Sequence, residues 1–311
     1  MKKVATSYSP YVHYVGDFPY QFEQFKGVYS EVGGDFHLLE GQFNIAGVVL
    51  CASQPVLPPL PNYTRIYTAH GTSNKIMKVY WEDPDMFDYF WMTGPKLKRI
   101  LERHLWGITD AKEVKIGMLR WDDYINGKFD YEYARKLMGA PEGKPICMFA
   151  PTFKKQSIEN YIEILKPLSE EYHFVLRSHP LEKVEMDGPG GEWFTMNNDP
   201  LHRVLFAVDL LISDESSVAY EFTITGKPIL MLHGFKTQSF NDDPMFDLTK
   251  QTALFDPRFQ TLDEKVKEAV DKVVNVQLLC KNAFYFNDGK ANERAVTWVK
   301  EQAMKFIRGN N

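Results

Sequence analysis

Three groups of polar residues in this sequence have the types and spacing to bind or transfer a phosphate. The first is Asp214, Ser216 and Ser217, which follow the apolar run 210–212 and precede a helical pattern ending at Phe222. A helix N-terminus offers free backbone N–H groups and the positive end of a dipole to an anion, and serine hydroxyls add donors. Serine and aspartate are also ordinary helix caps, so this segment alone leaves both roles open.

The second group is Arg177 with His179, directly after the apolar run 174–176. A guanidinium grips two phosphate oxygens at once, and a histidine adds one more donor, so the pair suits a diphosphate. A surface arginine beside a histidine bonded within the protein would look the same in sequence.

The third group is His70, Gly71 and Thr72, which follow the run 66–68, with Lys75 close behind. An imidazole titrates near neutrality and can take the proton of an attacking hydroxyl, which makes His70 a candidate general base. A strand-end histidine bonded to a carbonyl is the alternative. Lys75 could add positive charge, although a lone lysine on a helix is usually only solvated.

Other charged residues are less specific. Glu221 lies four to five residues beyond the serine pair and could reach a ribose diol, but a surface charge is the favoured interpretation. A further set lacks metal-ligand spacing and is interpreted as structural. This set is His104, His202, His233, Asp122 and Asp123.

The elements that must position these residues are strands alternating with helices, which indicates parallel sheets in both halves of the chain. Strands are predicted at 46–51, 65–68, 88–92, 114–117, 145–150, 173–176, 210–212 and 229–232. Each polar group, including Thr152, comes directly after one of these strands. Ligands of such folds bind beyond the carboxyl ends of the strands, so we expect the groups to converge in a common cleft.

The predicted organisation is α/β, with two doubly wound domains, residues 1–142 and 143–311. The first forty residues are aromatic and irregular, and we expect them to form a packing layer. Residues 262–308 are predicted to be mostly helical, with a break at 287–290, and are assigned to the second domain.

Composition narrows the function classes. The chain has 311 residues, 44% of them hydrophobic, and a net charge of −5, which argues against a protein that coats nucleic acid. Cys51, Cys147 and Cys280 are isolated thiols, so a disulfide framework is not expected and a reducing cytoplasm fits. The sequence shows neither a signal peptide's apolar core nor a run long enough to span a bilayer. Any membrane role is therefore expected to be peripheral.

Read in order, seven short motifs resemble the CDP-glycerol glycerophosphotransferase family, whose members build teichoic-acid and capsule polymers. The resemblance spans about residues 64–300. The motifs are His70-Gly71-Thr72 with Lys75, Ile116-Gly117 through Arg120 and Asp122, Ala150-Pro151-Thr152-Phe153, Arg177-Ser178-His179-Pro180, Asp214-Glu215-Ser216-Ser217 with Glu221, Thr225-Gly226-Lys227-Pro228, and Asp288-Gly289-Lys290-Ala291-Asn292-Glu293-Arg294. The chain departs from the family at Ser73-Asn74, Glu215 and Glu221.

The resemblance implies a GT-B fold, with two Rossmann-like domains facing a central cleft. It also implies that an acceptor hydroxyl attacks the phosphorus of CDP-glycerol, or of a relative such as CDP-ribitol, and releases CMP. His70 would take the proton, Arg177 and His179 would hold the diphosphate, and Ser216 and Ser217 would bind phosphates. Asp288 and Gly289 would close the nucleotide side.

The expected partners are the CDP-polyol and a lipid-linked or glycan acceptor, with no nucleic acid. No tightly bound metal or cofactor is expected, and a divalent cation, if one takes part, would be loosely held. The expected location is cytoplasmic, at the inner face of the plasma membrane if acceptors are lipid-linked. Two alternatives stay open. One is a GT-B glycosyltransferase or epimerase using a UDP-sugar, and the other is a non-catalytic nucleotide-binding subunit.

Overall fold

The computed structural model describes residues 6–16, 19–38, 46–52, 62–68, 87–104, 112–152, 155–178, 193–196, 201–214, 216–233 and 246–309. These residues divide into two compact units, each built around one six-stranded sheet. The first unit contains the described residues up to 127 and from 283 onward. The second contains those from 128 to 282.

The first sheet has the order β2-β1-β3-β4-β5-β6, and every described pairing in it is parallel. Its strands are β1 (Val12–Gly16), β2 (Asp35–Leu38), β3 (Gly47–Cys51), β4 (Tyr63–Tyr67), β5 (Tyr89–Met92) and β6 (Glu113–Lys115). The α-helices between them are α1 (Lys26–Val32) and α2 (Pro95–His104), and α3 (Asp122–Ile125) follows β6. The central strands β1 and β3 are buried along their whole length, as expected for a parallel sheet covered on both faces.

The second sheet has the order β12-β11-β10-β7-β8-β9 and is also parallel. Its strands are β7 (Ile146–Phe149), β8 (His173–Arg177), β9 (Trp193–Met196), β10 (Leu210–Ser213), β11 (Ile229–Leu232) and β12 (Ala253–Phe255). Its α-helices are α4 (Tyr131–Leu137), α5 (Lys155–Leu165), α6 (Leu168–Glu171), α7 (Ser217–Phe222), α8 (Leu248–Gln251), α9 (Leu262–Asp271) and α10 (Val273–Ala283). Strand numbers rise outward from β7 on one side and from β10 on the other. The topological switch point, where such sheets bind ligands, therefore lies between β7 and β10.

The last helix, α11 (Ala291–Gly309), returns to the first unit. Its small residues on one face, Ala291, Ala295 and Ala303, join the core of the first sheet. The carboxylate of Asp122 holds its start, because it accepts the backbone N–H groups of Ala291 at 3.0 Å and Asn292 at 2.7 Å. Asp122 thus has the structural role expected of it.

This division differs from the expected domains 1–142 and 143–311. The boundary falls at 127/128, and residues 283–309 lie with the first sheet rather than the second. The reason is that both segments pack on residues far away in the sequence. α4 and the residues before it pack on the second unit, where the ring centroids of Phe129 and Phe206 lie 5.3 Å apart. α11 meanwhile buries its apolar face on β3 and α1.

The first forty residues are more regular than predicted. Two parallel strands and α1 occupy this segment, so the expectation of an irregular segment was wrong. Its aromatic rings do form a packing layer: Tyr14 lies 4.9 Å from Phe36 and 5.2 Å from Phe25, between ring centroids. The two strands are hard to recognise in the sequence because each is short and lies among aromatic residues that extend well beyond it.

Among the helices that the structure describes, none combines the length and the apolar composition needed to cross a bilayer.

Candidate functional site

The switch point of the second sheet carries two of the predicted residues, Asp214 and Thr152. Asp214 is buried just after β10, and its carboxylate accepts the Thr152 backbone N–H at 2.9 Å and the Thr152 hydroxyl at 3.2 Å. One residue earlier, the Ser213 hydroxyl donates to the carbonyl of Ala150 at 2.7 Å. These bonds tie the ends of β7 and β10 together.

Ser216 and Ser217 lie at the start of α7, as predicted. Ser216 is the N-cap residue, and in this described segment its side chain makes no capping hydrogen bond to the helix. Ser217 is the first helical residue. The Ser216 side chain therefore does not bond the backbone N–H groups of the first turn. The geometry is compatible with the predicted anion-binding role of this helix start.

Glu221 is not the surface charge that the sequence favoured. It is only 4% exposed, because residues 218–222 of this short helix are all buried. The Glu221 carboxylate is thus buried in α7, one turn beyond the serines. Two interpretations of it remain, a structural role and a ligand-facing role.

Arg177 is the last residue of β8 and is also buried. Its Nη1 donates to the carbonyl of Ser178 at 2.7 Å and to that of Met196, at the end of β9, at 3.2 Å. The guanidinium is thus fixed at the carboxyl edge of the sheet. This is the edge expected for a diphosphate-binding arginine.

Asp288 and Gly289 belong to the first unit, on the turn before α11. Asp288 forms a salt bridge with Arg294, and the Gly289 carbonyl accepts the Asn126 side-chain N–H at 2.8 Å. Burial alone would raise the pKa of Asp288, but hydrogen bonds from Arg294 and the Lys290 backbone lower it. Gly289 has a φ of +68°, which favours glycine at this turn.

Five predicted residues lie outside the described residues: His70, Gly71, Thr72, Lys75 and His179. Their roles, and the convergence of all groups in one cleft, stay predictions.

A cluster that the sequence reasoning missed lies at the carboxyl ends of β11 and β12. It consists of His233, Asp256 and Arg258. Arg258 forms an ion pair of 2.6 Å with the Asp256 carboxylate, and Nδ1 of His233 lies 3.2 Å from the same carboxylate oxygen. His233 was set aside for lack of metal spacing, and β12 was not predicted. The signal that could have found the cluster is the one used elsewhere, a polar residue directly after an apolar run.

The described residues contain no group of three or more His, Cys, Asp or Glu side chains arranged to hold a metal ion.

Two parallel, doubly wound sheets of six strands, with polar residues gathered at a switch point, make this an α/β protein of the GT-B fold. The chain belongs to the family described as CDP-Glycerol:Poly(glycerophosphate) glycerophosphotransferase, whose model matches residues 60–301. This confirms the resemblance carried by the seven motifs.

Two curated relatives and one solved structure illustrate the match. The teichoic acid glycerol-phosphate primase of Bacillus subtilis strain 168 is 27% identical over 181 residues, which cover 55% of this chain and 45% of that protein. The teichoic acid ribitol-phosphate polymerase TarK of Staphylococcus aureus strain NCTC 8325 is 30% identical over 217 residues, covering 61% and 41%. The chain thus matches over less than half the length of these relatives.

The solved structure is a variant of the wall teichoic acid polymerase TagF soaked with CDPG. It superposes with a TM-score of 0.71 at 17% identity, covering 96% of this chain and 90% of that one. At this identity the likeness concerns the fold.

Proposed function

We propose that this chain transfers a polyol phosphate from a CDP-activated polyol to an acceptor hydroxyl, releasing CMP, in the synthesis of a teichoic-acid-like polymer. The observation that carries the proposal is the family match at residues 60–301, which contains every candidate site residue from His70 to Gly289. The names of the two relatives, a glycerol-phosphate primase and a ribitol-phosphate polymerase, support a polyol-phosphate donor and leave the polyol open.

In the proposed reaction the acceptor oxygen attacks the phosphorus that bears the polyol. A new P–O bond forms, the P–O bond to CMP breaks, and His70 takes the acceptor's proton. Phosphoryl transfer asks mainly for positioning and for stabilisation of charge. Arg177 and His179, with Lys75, would supply positive charge to the diphosphate as CMP departs.

The remaining residues would hold the donor. Ser216 and Ser217 would offer hydroxyl and backbone N–H donors to its phosphates, with Gly71 and Thr72 lining the same mouth. Because the Asp214 carboxylate is bonded to Thr152, we assign these two residues to positioning the loops around the phosphates. Glu221 would face the ribose, and Asp288 with Gly289 would close the nucleotide side.

The proposal includes no tightly bound metal, since arginine, histidine and backbone N–H groups can supply the charge stabilisation. It places the enzyme in the cytoplasm. With a lipid-linked acceptor it would work at the inner face of the plasma membrane, and with a glycan acceptor it would need no membrane contact.

The test is a donor panel. Purified protein is incubated with CDP-glycerol, CDP-ribitol or UDP-N-acetylglucosamine, together with a detergent-solubilised bacterial membrane extract as the source of acceptor. We expect CMP release from at least one CDP-polyol and label transfer from its polyol to the extract. Consumption of the UDP-sugar with both CDP-polyols left intact would refute the proposal.

A further inference from the structure

A groove in the first unit lies between β6, the outer strand of its sheet, and the last helix, α11. Its volume is about 320 Å³, which is in the range of small-molecule sites in proteins. Val114 and the buried Ile116 give the strand side an apolar surface, and Lys115 lies between them in the sequence. The serines proposed to bind the donor belong to the second unit, so the groove is a separate feature of the chain.

The helix lines the other side of the groove with one face. Glu293, Thr297 and Glu301 follow one another at intervals of four residues, which places them on the same side of α11. All three are exposed. The two glutamates lie eight positions apart, or about 12 Å along the helix axis. The polar groups of the groove are therefore too far apart for a single small ion to meet both carboxylates.

Trp298 adds a half-buried aromatic ring to the same face of the helix. Two rings of β5 pack against it, Tyr89 at 5.2 Å between centroids and 76° between planes, and Trp91 at 6.1 Å and 84°. These edge-to-face contacts hold the indole ring from the sheet side. A ring that is already fixed loses little conformational freedom when a ligand packs on it.

The two cations of the groove already have partners. Arg294 forms a salt bridge with Asp288, and its Nη1 donates to the Ile116 carbonyl at 3.2 Å. Lys115 Nζ lies 4.9 Å from the centroid of the Tyr285 ring, as in a cation–π contact.

The two carboxylates, by contrast, are available to a ligand. Within the described residues, neither Glu293 nor Glu301 makes a hydrogen bond or an ion pair. A carboxylate accepts hydrogen bonds and donates none, so each offers its oxygens to a donor. Glu293 also lies in the first turn of α11, where a negative charge stabilises the helix. Glu301 lies two turns later and is therefore the cleaner position to test.

The balance of charge favours an uncharged ligand. Two carboxylates and two cations, Lys115 and Arg294, line the groove, so an ion attracted by one pair is repelled by the other. A chain of sugar rings fits the remaining features. Its hydroxyls can donate to the separated carboxylates, and its C–H faces can pack on Trp298.

We propose that the groove between β6 and α11 binds an uncharged oligosaccharide. Glu293 and Glu301 accept hydrogen bonds from its hydroxyls, and Trp298 packs on one of its rings. The inference goes beyond the proposed function and does not depend on it, because binding in the groove requires no turnover of a CDP-polyol.

The first test locates the binding. ¹⁵N-labelled full-length protein is titrated with N,N′-diacetylchitobiose, cellobiose and maltose, and the indole N–H signals are followed by NMR. The signal of Trp298 is the one missing from Trp298→Phe, which keeps an aromatic ring against β5. We expect at least one disaccharide to shift this signal in a saturable way. If all three leave it unchanged, the proposal is overturned.

The second test asks what the carboxylates do. Glu301→Ala and Glu293→Ala should each weaken disaccharide binding about two- to tenfold, because each removes a hydrogen-bond acceptor. Glu301→Gln should weaken it less, since its side-chain carbonyl still accepts. The matched control is Glu264→Ala, an exposed glutamate on α9 in the second unit, which should bind like the wild type. Wild-type affinity in both groove alanine variants would overturn the proposal.

Charged probes test the choice of ligand class. Trilysine and glycerol 3-phosphate are titrated in the same way, and we expect neither to shift the Trp298 signal. A saturable shift with trilysine that Glu301→Gln abolishes would replace the oligosaccharide by a cationic ligand and overturn the proposal. Failure to release CMP from any CDP-polyol would instead refute the proposed function, and the disaccharide titrations would still decide this inference.

Discussion

At the scale of single residues, the Asp214 side chain shows how one carboxylate can join the ends of two strands. Buried after β10, it receives two hydrogen bonds from Thr152 after β7. Leaving a buried backbone N–H without a partner costs more free energy than the hydrogen bond contributes, because no water replaces the lost acceptor. The bonds to Thr152 should therefore matter for stability as well as for loop position.

Replacing Asp214 by alanine should lower the free energy of unfolding by about 1–3 kcal/mol, since the Thr152 N–H is left buried. Asp214→Asn should cost less, because its oxygen can still accept that bond. Urea denaturation followed by circular dichroism measures both changes. The control is Asp271→Ala, an exposed aspartate at the end of α9 in the same unit, which should change stability little. Equal stabilities of Asp214→Ala and Asp271→Ala would contradict the assignment.

The proton transfer proposed for His70 also belongs to this scale. His70→Ala should reduce the rate of CMP release at least about a hundredfold, the usual contribution of a general base, while CDP-glycerol still binds. Steady-state kinetics and calorimetry on the same preparation separate the two quantities. A variant that turns over like the wild type would remove His70 from the mechanism.

At the scale of elements, the way the chain re-enters the first unit depends on a close backbone approach at Gly94. A Cβ built on this residue would lie 2.0 Å from the Ala283 carbonyl oxygen and 2.4 Å from Phe284 Cα. Neither backbone atom can move aside as a flexible side chain could. Glycine is thus required here for space, where the chain passes before α2.

Gly94→Ala should therefore destabilise the protein by about 1–3 kcal/mol, the usual cost of forcing extra atoms into a packed region. Gly309→Ala is the matched control, because a Cβ on that residue meets nothing within 4 Å. It should be neutral or slightly stabilising, as alanine favours a helix. Differential scanning calorimetry compares the two, and an unchanged unfolding temperature for Gly94→Ala would show that the backbone yields easily.

Elements were predictable where their pattern was local. Buried apolar runs such as β7, β10 and β11 stand out in sequence because they end in polar residues, and the candidate residues beyond them followed from the same rule. β9 and β12 were not predicted, and without β12 the residues that follow it, Asp256 and Arg258, were missed as well. The burial of Glu221 could not be predicted, because a six-residue helix has too few positions to show which faces are covered.

At the scale of the whole molecule, the domain division was the least predictable feature. Nothing near residue 283 signals that the chain leaves one sheet for another, and the apolar face of α11 would suit either. The unit to which α11 belongs is determined by the elements on which this face packs, β3 and α1. They lie more than 200 positions earlier in the sequence.

Fragments test this division. Residues 128–282 expressed alone should unfold cooperatively, because they retain α4 and the bond from His173 to the Met138 carbonyl. Residues 143–311 lack α4 and carry α11 without the core it packs on, so they should bind a hydrophobic dye and elute as aggregates. Thermal melts with dye binding compare the two fragments. Greater stability of 143–311 would favour the domain boundary expected from sequence.

The return of α11 also has a consequence for the order in which the protein matures. Domains usually fold one after another as the ribosome delivers them, beginning with the first. Here the helix that completes the core around β3 is synthesised after the whole second unit. We therefore expect the first sheet to stay incompletely covered until α11 is made, while the second unit can already fold. We expect a chaperone that acts during synthesis to bind the exposed apolar surface of the first sheet.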